Sequence, residues 1–249
     1  MAELLRVENI SRRFGGLLAL DRASFMAEEG QIVALVGPNG AGKTTLFSII
    51  AGFLKPSSGR VLYQGADITG TASHLLARRG IARTFQIAQP FAGLTVRENI
   101  AVGSHLARRK RADALAAAEG VAQAVGLSPM LDQPAASLTV GGRKRLELAR
   151  ALAIEPKLLL LDEVLAGLNP SEVRDMVPVI QAIRARGITI VMIEHVMQAV
   201  MSLAEQVFVL AEGRMIAMGP AQAIAADPRV IEAYLGHGAA ARMRGPAHG

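Results

Sequence analysis

Cysteine is absent from the 249 residues, which excludes disulfides, thiolate catalysis and zinc sites built on cysteine. Aromatic residues reach only 4%, so the core has to be filled by Leu, Ile, Val and a great deal of Ala. Long apolar runs are missing too. The most apolar stretches, residues 157–161 and 188–193, fall far short of the roughly 20 residues that a membrane span needs. Residues 1–9 alternate apolar and charged side chains, which does not read as a signal peptide. Together these features predict a soluble, cytoplasmic protein. With 51% hydrophobic and 19% charged residues, disorder is excluded. No tandem repeat or heptad region is present. The formal charge of +6 admits a nucleic acid, a membrane face or anionic ligands as partners, or simply a solvated arginine-rich surface.

Residues 4–10 read as a strand with Leu5, Val7 and Asn9 on one face. Gly15-Gly16 and Glu29-Gly30 supply turns. Residues 32–36 form a short continuous apolar run, the pattern of a strand buried on both faces. A helix carrying Leu46, Ile49 and Ile50 follows, with Gly52 at its C-terminal cap and a turn over residues 55–59. Thr95-Val96-Arg97-Glu98 has the pattern of a capping box and predicts a helix start. The Ala-rich segment 101–123 is strongly helix-forming, and residues 143–153 predict another helix that stops before Pro156. Further buried strands are expected at 158–161 and 188–193, with a helix between them. A terminal hairpin is expected from 207–210 and 215–218 joined through Glu212-Gly213. The tail after Gly236, rich in Gly, Ala, Pro and Arg, is expected to fray. Strands alternating with helices predict an α/β fold with a largely parallel sheet, and residues 90–137, which lack strand signals, predict a helical insertion.

Gly37-Pro38-Asn39-Gly40-Ala41-Gly42-Lys43-Thr44 fits the phosphate-binding loop G-x-x-x-x-G-K-[ST] at every fixed position. Its glycines let backbone N–H groups converge on phosphates, Lys43 can reach the terminal phosphates, and the Thr44 hydroxyl can ligate magnesium. The helix that follows, opening through Thr45, turns its positive end to the anion. Downstream, Leu158-Leu159-Leu160-Leu161 ends in Asp162 and Glu163. Asp162 can hold magnesium, directly or through water, and Glu163 can then orient or deprotonate the attacking water. Thr139 and the free N–H groups near Gly141 open a helix and make a second candidate anion site. His195, a polar tip after a buried strand, is a candidate for contacting the γ-phosphate. Gln86 is a candidate amide ligand to magnesium or water.

In order and spacing these motifs resemble the ATP-binding subunit of an ABC transporter, from about residue 4 to residue 235. The resemblance implies an ATPase of the P-loop NTPase (RecA-like) class, with an antiparallel β subdomain and an inserted α-helical subdomain. Phe14 lies where that family places an adenine-stacking aromatic, Gln86 where it has its Q-loop, and His195 where it has its switch histidine. Residues 138–142 take the place of the signature segment and Gly167-Leu168-Asn169 that of the D-loop. The subfamily serving branched-chain amino acid importers is more similar still: Arg79-Gly80-Ile81-Ala82-Arg83-Thr84-Phe85-Gln86, Leu94-Thr95-Val96-Arg97-Glu98-Asn99, Ile193-Glu194-His195 and Asp227-Pro228-Arg229-Val230-Ile231-Glu232-Ala233-Tyr234-Leu235-Gly236 follow its pattern. The usual signature is Leu-Ser-Gly-Gly-Gln; here Thr139 keeps the hydroxyl, while Val140 and Gly142 depart from the pattern. Asn169 replaces the common Asp.

The resemblance implies a nucleotide-binding core at 1–89 and 138–236, a helical subdomain at 90–137 and a flexible tail at 237–249. It also implies ATP and magnesium as cofactors, and a second ATPase subunit whose Thr139 and Gly141 complete each nucleotide site. Two integral membrane permeases and, indirectly, an extracytoplasmic solute-binding protein are the remaining partners, with the chain on the cytoplasmic face of a bacterial inner membrane. Nucleic acid is not expected, because the basic residues lack interleaved aromatics for base stacking. An ABC-type ATPase acting on nucleic acid and a regulatory nucleotide switch are the alternatives. Arg108-Arg109-Lys110-Arg111 lies either near a membrane-facing surface or, by preference, in solvent.

Overall fold

The structure, a computed structural model, describes residues 2–84 and 90–235. Elements run in the order β1 (Glu3–Phe14), β2 (Leu17–Glu28), β3 (Ile32–Val36), α1 (Lys43–Ile50), β4 (Ser58–Tyr63), β5 (Ala66–Asp67), α2 (Ser73–Arg78) and β6 (Ile81–Arg83). Next come α3 (Val96–Ser104), α4 (Arg111–Ala124), α5 (Val140–Leu152), β7 (Leu158–Asp162), α6 (Pro170–Ala185) and β8 (Thr189–Ile193). The described chain closes with α7 (Met197–Leu203), β9 (Gln206–Ala211), β10 (Arg214–Gly219), α8 (Ala221–Ala225) and α9 (Pro228–Leu235).

Two sheets result. One has six strands in the order β10-β9-β3-β8-β7-β6, parallel except for the β9–β10 hairpin. The other has four antiparallel strands, β2-β1-β4-β5. The continuous apolar runs of β3, β7 and β8 are explained by what lies on each face. Alternate residues Ile32, Ala34, Val36, Leu159, Leu161, Ile190 and Met192 enter one core, beneath α3 to α7. Val33, Leu35, Leu158, Leu160, Val191 and Ile193 enter a second core, shared with α1 and the antiparallel sheet. With apolar partners on both sides, a period-2 strand has no face left for polar residues.

Three expectations are revised. Asn9 does not share the face of Leu5 and Val7: it takes a positive φ of 49°, the register with both neighbouring strands shifts around it, and Ile10 is buried instead. The helix expected through 101–123 breaks after Ser104 and resumes at Arg111, so high helix propensity is overridden by the turn between α3 and α4. The helix expected from Arg143 begins three residues earlier, because Thr139 caps it by accepting from Gly142 N–H at 3.1 Å. The β2 strand and the short elements β4 to β6 and α2 carry no strong sequence signal. The capping box at Thr95 and Glu98 forms as expected, and so does the terminal hairpin.

The two helices of the 90–137 region meet α5 closely. A Cβ added at Gly103 of α3 would stand 2.6 Å from the Arg150 carbonyl oxygen and 2.9 Å from Ala153 Cβ. Glu194, 1% exposed, fastens the end of β8 to the turn after β7 by accepting from Leu165 N–H at 2.9 Å. Burial pushes the Glu194 carboxyl up to about 7 from 4.5, although the N–H groups of Leu165 and His195 pull it back.

Gly103→Ala is expected to lower stability by about 1–3 kcal/mol in urea denaturation, because overlap with a backbone carbonyl outweighs the gain in helix propensity. Glu194 binds its proton more tightly in the folded chain than in the unfolded one. Its contribution is therefore present below about pH 4.5 and is lost as pH rises through about 7. Glu194→Gln keeps an acceptor for Leu165 without the charge, so it should gain on the wild type between pH 5 and 8, by at most about 3 kcal/mol. A difference constant across that range would mean that Glu194 does not carry the titration.

Candidate functional site

The carboxyl ends of β3, β7 and β8 lie side by side, since Leu35 and Asp162 both pair with Ile193. Whatever follows these strands converges on one edge of the sheet, the position where open α/β sheets bind ligands. The loop of residues 37–42 leaves β3 there. A Cβ on Gly37, at φ 150°, would sit 1.9 Å from the Leu210 carbonyl oxygen, and one on Gly42, at φ 103°, would sit 2.6 Å from the Ala19 carbonyl oxygen. Only glycine allows β9 and β2 to press this loop from two sides. Gly42 is the N-cap of α1 and no side chain caps that helix end, so its first N–H groups remain available to an anion.

Lys43 is 5% exposed and folds back over its own loop, donating from Nζ to the carbonyl oxygens of Gly37 at 2.7 Å and Pro38 at 2.9 Å. Burial lowers its pKa, and the nearby charges of Glu163 and Asp162 partly offset that. Asn39, Gly40 and Thr44 are exposed, and Ala41 is buried. Asp162, 1% exposed, ends β7. Its Oδ2 accepts from Arg83 Nη2 at 2.7 Å, its backbone N–H donates to Thr84 Oγ1 at 3.0 Å, and its buried Oδ1 has no partner. A buried carboxylate oxygen without a partner fits a hard cation or a water held by one. Thr44 and Asp162 line a common groove of about 850 Å³, so together they can hold magnesium, which would supply charge stabilisation to phosphate oxygens. Among the described residues no cluster of three His, Asp or Glu side chains could hold a metal ion by itself.

Glu163 takes the left-handed conformation, φ 51°, a strain of about 1–3 kcal/mol for a non-glycine residue. The strand end enforces it. Glu163 N–H donates to Ile193 O at 2.9 Å, and its carbonyl oxygen accepts from Lys144 Nζ at 3.1 Å. This aims the side chain at His195, whose Nε2 lies 2.8 Å from Glu163 Oε1; with a carboxylate as acceptor, that nitrogen carries the proton.

The sequence-predicted residues of the phosphate loop, Asp162, Glu163 and His195 thus share one edge. Phe14 ends β1, at the turn of the β1–β2 hairpin. It is 44% exposed, with the Arg12 guanidinium 4.7 Å from its ring centroid. Thr139 and Gly141 open α5 rather than the phosphate loop. Thr139 is exposed, and Gly141 lies under Glu172, which with Asn169 forms the capping box of α6. Gln86 falls outside the described residues. Three residues had no role assigned from sequence: Arg83, Lys144 and Glu194. Nothing in one sequence signals that these charges are buried; only strand pairing brings them to the site. Of the basic run 108–111, Arg108 pairs with Glu155 and Arg111 with Glu98 at 3.2 Å, as charges on a solvated face do.

Comparison with known proteins agrees with this geometry. Residues 20–166 match the family described as ABC transporter, and residues 214–240 match the one described as branched-chain amino acid ATP-binding cassette transporter. The chain is 38% identical to the high-affinity branched-chain amino acid transport ATP-binding protein BraF of Pseudomonas aeruginosa, over 94% of this chain and 98% of that one. It is 37% identical to LivG of Salmonella typhimurium, with the same coverage. Among solved structures, the ADP conformation of the ATP-binding cassette MJ1267 superposes with a TM-score of 0.87 at 33% identity, covering 95% of this chain and 100% of that one. A nucleotide-free ATP-binding cassette superposes with a TM-score of 0.85 at 33% identity, covering 92% and 98%. With a family match over residues 20–166 and relatives 37–38% identical along nearly its whole length, the chain belongs to the ABC transporter family.

Proposed function

We propose that the chain is the ATP-hydrolysing subunit of an importer for branched-chain amino acids or a related small polar solute. The observation that carries this reading is the junction of Glu163 and His195, 2.8 Å apart, beside a phosphate loop at the same sheet edge. Residues 37–45 cradle the phosphates, with Lys43 leaving its loop carbonyls for the terminal phosphates. Thr44 and Asp162 would hold magnesium. Glu163 activates the attacking water, and His195 and Lys43 stabilise charge on the transferring phosphoryl group. Phe14 stacks on adenine.

Neither half-site is complete alone in this reading. Thr139 is exposed at the start of α5, with Gly141 beneath Glu172 two residues on, and in this reading the two serve the nucleotide of a second ATPase subunit in a head-to-tail pair. ATP then stabilises the closed pair and hydrolysis releases it. Residues 1–89 and 138–236 act as the nucleotide-binding core and 90–137 as a helical subdomain, with 237–249 as a tail. The groove lined by Phe53, His74, Val102 and Gly103 lies between these parts and supports docking of a permease helix. Among the described residues no helix is long and apolar enough to cross a membrane. In this reading the solute passes through separate permease subunits, with the chain on their cytoplasmic side. The solute reading rests on the printed functions of the relatives BraF and LivG and on the match at residues 214–240.

Glu163→Gln should bind ATP as the wild type does but release phosphate at least about a hundredfold more slowly, the scale expected for loss of a general base. Near-wild-type turnover would remove Glu163 from that role. Tagged chain purified from its native membrane should bring two polytopic permeases with it, whereas recovery with ribosomes or DNA would overturn the transporter reading.

A further inference from the structure

Arg83 is placed to do more than hold a strand end. It closes β6 next to β7, and its side chain is 8% exposed. Nη2 donates to Asp162 Oδ2 at 2.7 Å and Nη1 to Ser48 Oγ at 3.0 Å. Ser48 in turn donates to the Thr44 carbonyl oxygen at 2.7 Å. A single hydrogen-bonded chain therefore runs from the backbone of Thr44 through Ser48 and Arg83 to Asp162, the two ends being the residues assigned to magnesium. The guanidinium also lies 5.8 Å from the ring centroid of Phe53, an exposed residue of the groove wall.

The charge arrangement gives this chain a function. Asp162 is almost fully buried, and a lone ionised carboxylate there would be strongly disfavoured. Arg83 neutralises it through one oxygen, while the other oxygen, Oδ1, is buried without a partner. A divalent cation approaching Oδ1 therefore meets a carboxylate whose charge is already shared, with a fixed positive charge on its far side. Arginine suits this position because its guanidinium stays charged under all ordinary conditions and can fork between two acceptors.

We propose that Arg83 is a positioning residue that serves as a built-in counter-ion of Asp162: it holds the carboxylate in place when no metal is bound and weakens the site's grip on magnesium when one is. The inference rests on the reading of Asp162 and Thr44 as magnesium ligands. In consequence the cation is held chiefly through the nucleotide phosphates and leaves with them. A site lacking the counter-ion would retain magnesium, and with it the spent nucleotide, for longer.

The test is a magnesium titration of fluorescent N-methylanthraniloyl-ADP binding at pH 8, with EDTA as the zero point, on the full-length chain. In Arg83→Met the half-saturating magnesium concentration should fall about tenfold or more, and the thermal upshift caused by adding magnesium to the nucleotide complex should grow. Arg83→Lys, which keeps the charge, should stay within about threefold of the wild type. If Arg83→Met does not fold, Arg83→Gln, neutral yet still able to donate to Asp162, carries the same expectation. An unchanged or raised half-saturation in the neutral variant, or an equal fall in Arg83→Lys, overturns the inference while leaving the magnesium site standing. Wild-type binding that is identical in magnesium and in EDTA overturns the magnesium reading itself and the inference with it.

Discussion

The parallel register of β3, β8 and β7 is the constraint on which the rest of the molecule depends. Backbone hydrogen bonds set Leu35 and Asp162 opposite the same residue, Ile193. A shift of one residue would exchange the two faces of a strand and send Leu160 and Ile193 into the wrong core. Both cores therefore lock the register, and the register in turn delivers a glycine loop, two carboxylates and an imidazole to one edge. The geometry of this edge is a by-product of burying leucine, isoleucine and valine on two sides at once.

Much of this was legible because the sequence carries each part as a local signal. Residues 32–36 and 158–162 have no polar side chain until the functional group appears, so the strand and the point where it ends can be read together. The phosphate loop is legible for a different reason. Its glycines answer to close contacts, with Leu210 and Ala19, that no other residue permits. The capping box at Thr95 and Glu98 depends only on residues three apart, and it forms as the spacing requires.

What stayed hidden depends on contacts between distant segments. The Ala-rich run at 101–123 looks like one helix because alanine reports local preference alone; the break after Ser104 serves the packing of α3 and α4 on α5. Asn9 misled because a bulge alters strand parity, and period-2 reading assumes that parity is unbroken. Arg83, Lys144 and Glu194 looked like ordinary charges. Their burial follows from β6 pairing with β7 and from α5 lying beneath the turn after β7, neither of which a single sequence displays.

The bond from Lys144 to the backbone of Glu163 has a mechanical meaning. Lys144 lies little more than one turn from Thr139, the N-cap of α5, whereas Glu163 directly follows β7. The second turn of α5 and the peptide of Glu163 are thus tied by one long side chain. A tilt of α5 must therefore either stretch this bond or draw along a residue already held in a left-handed backbone conformation.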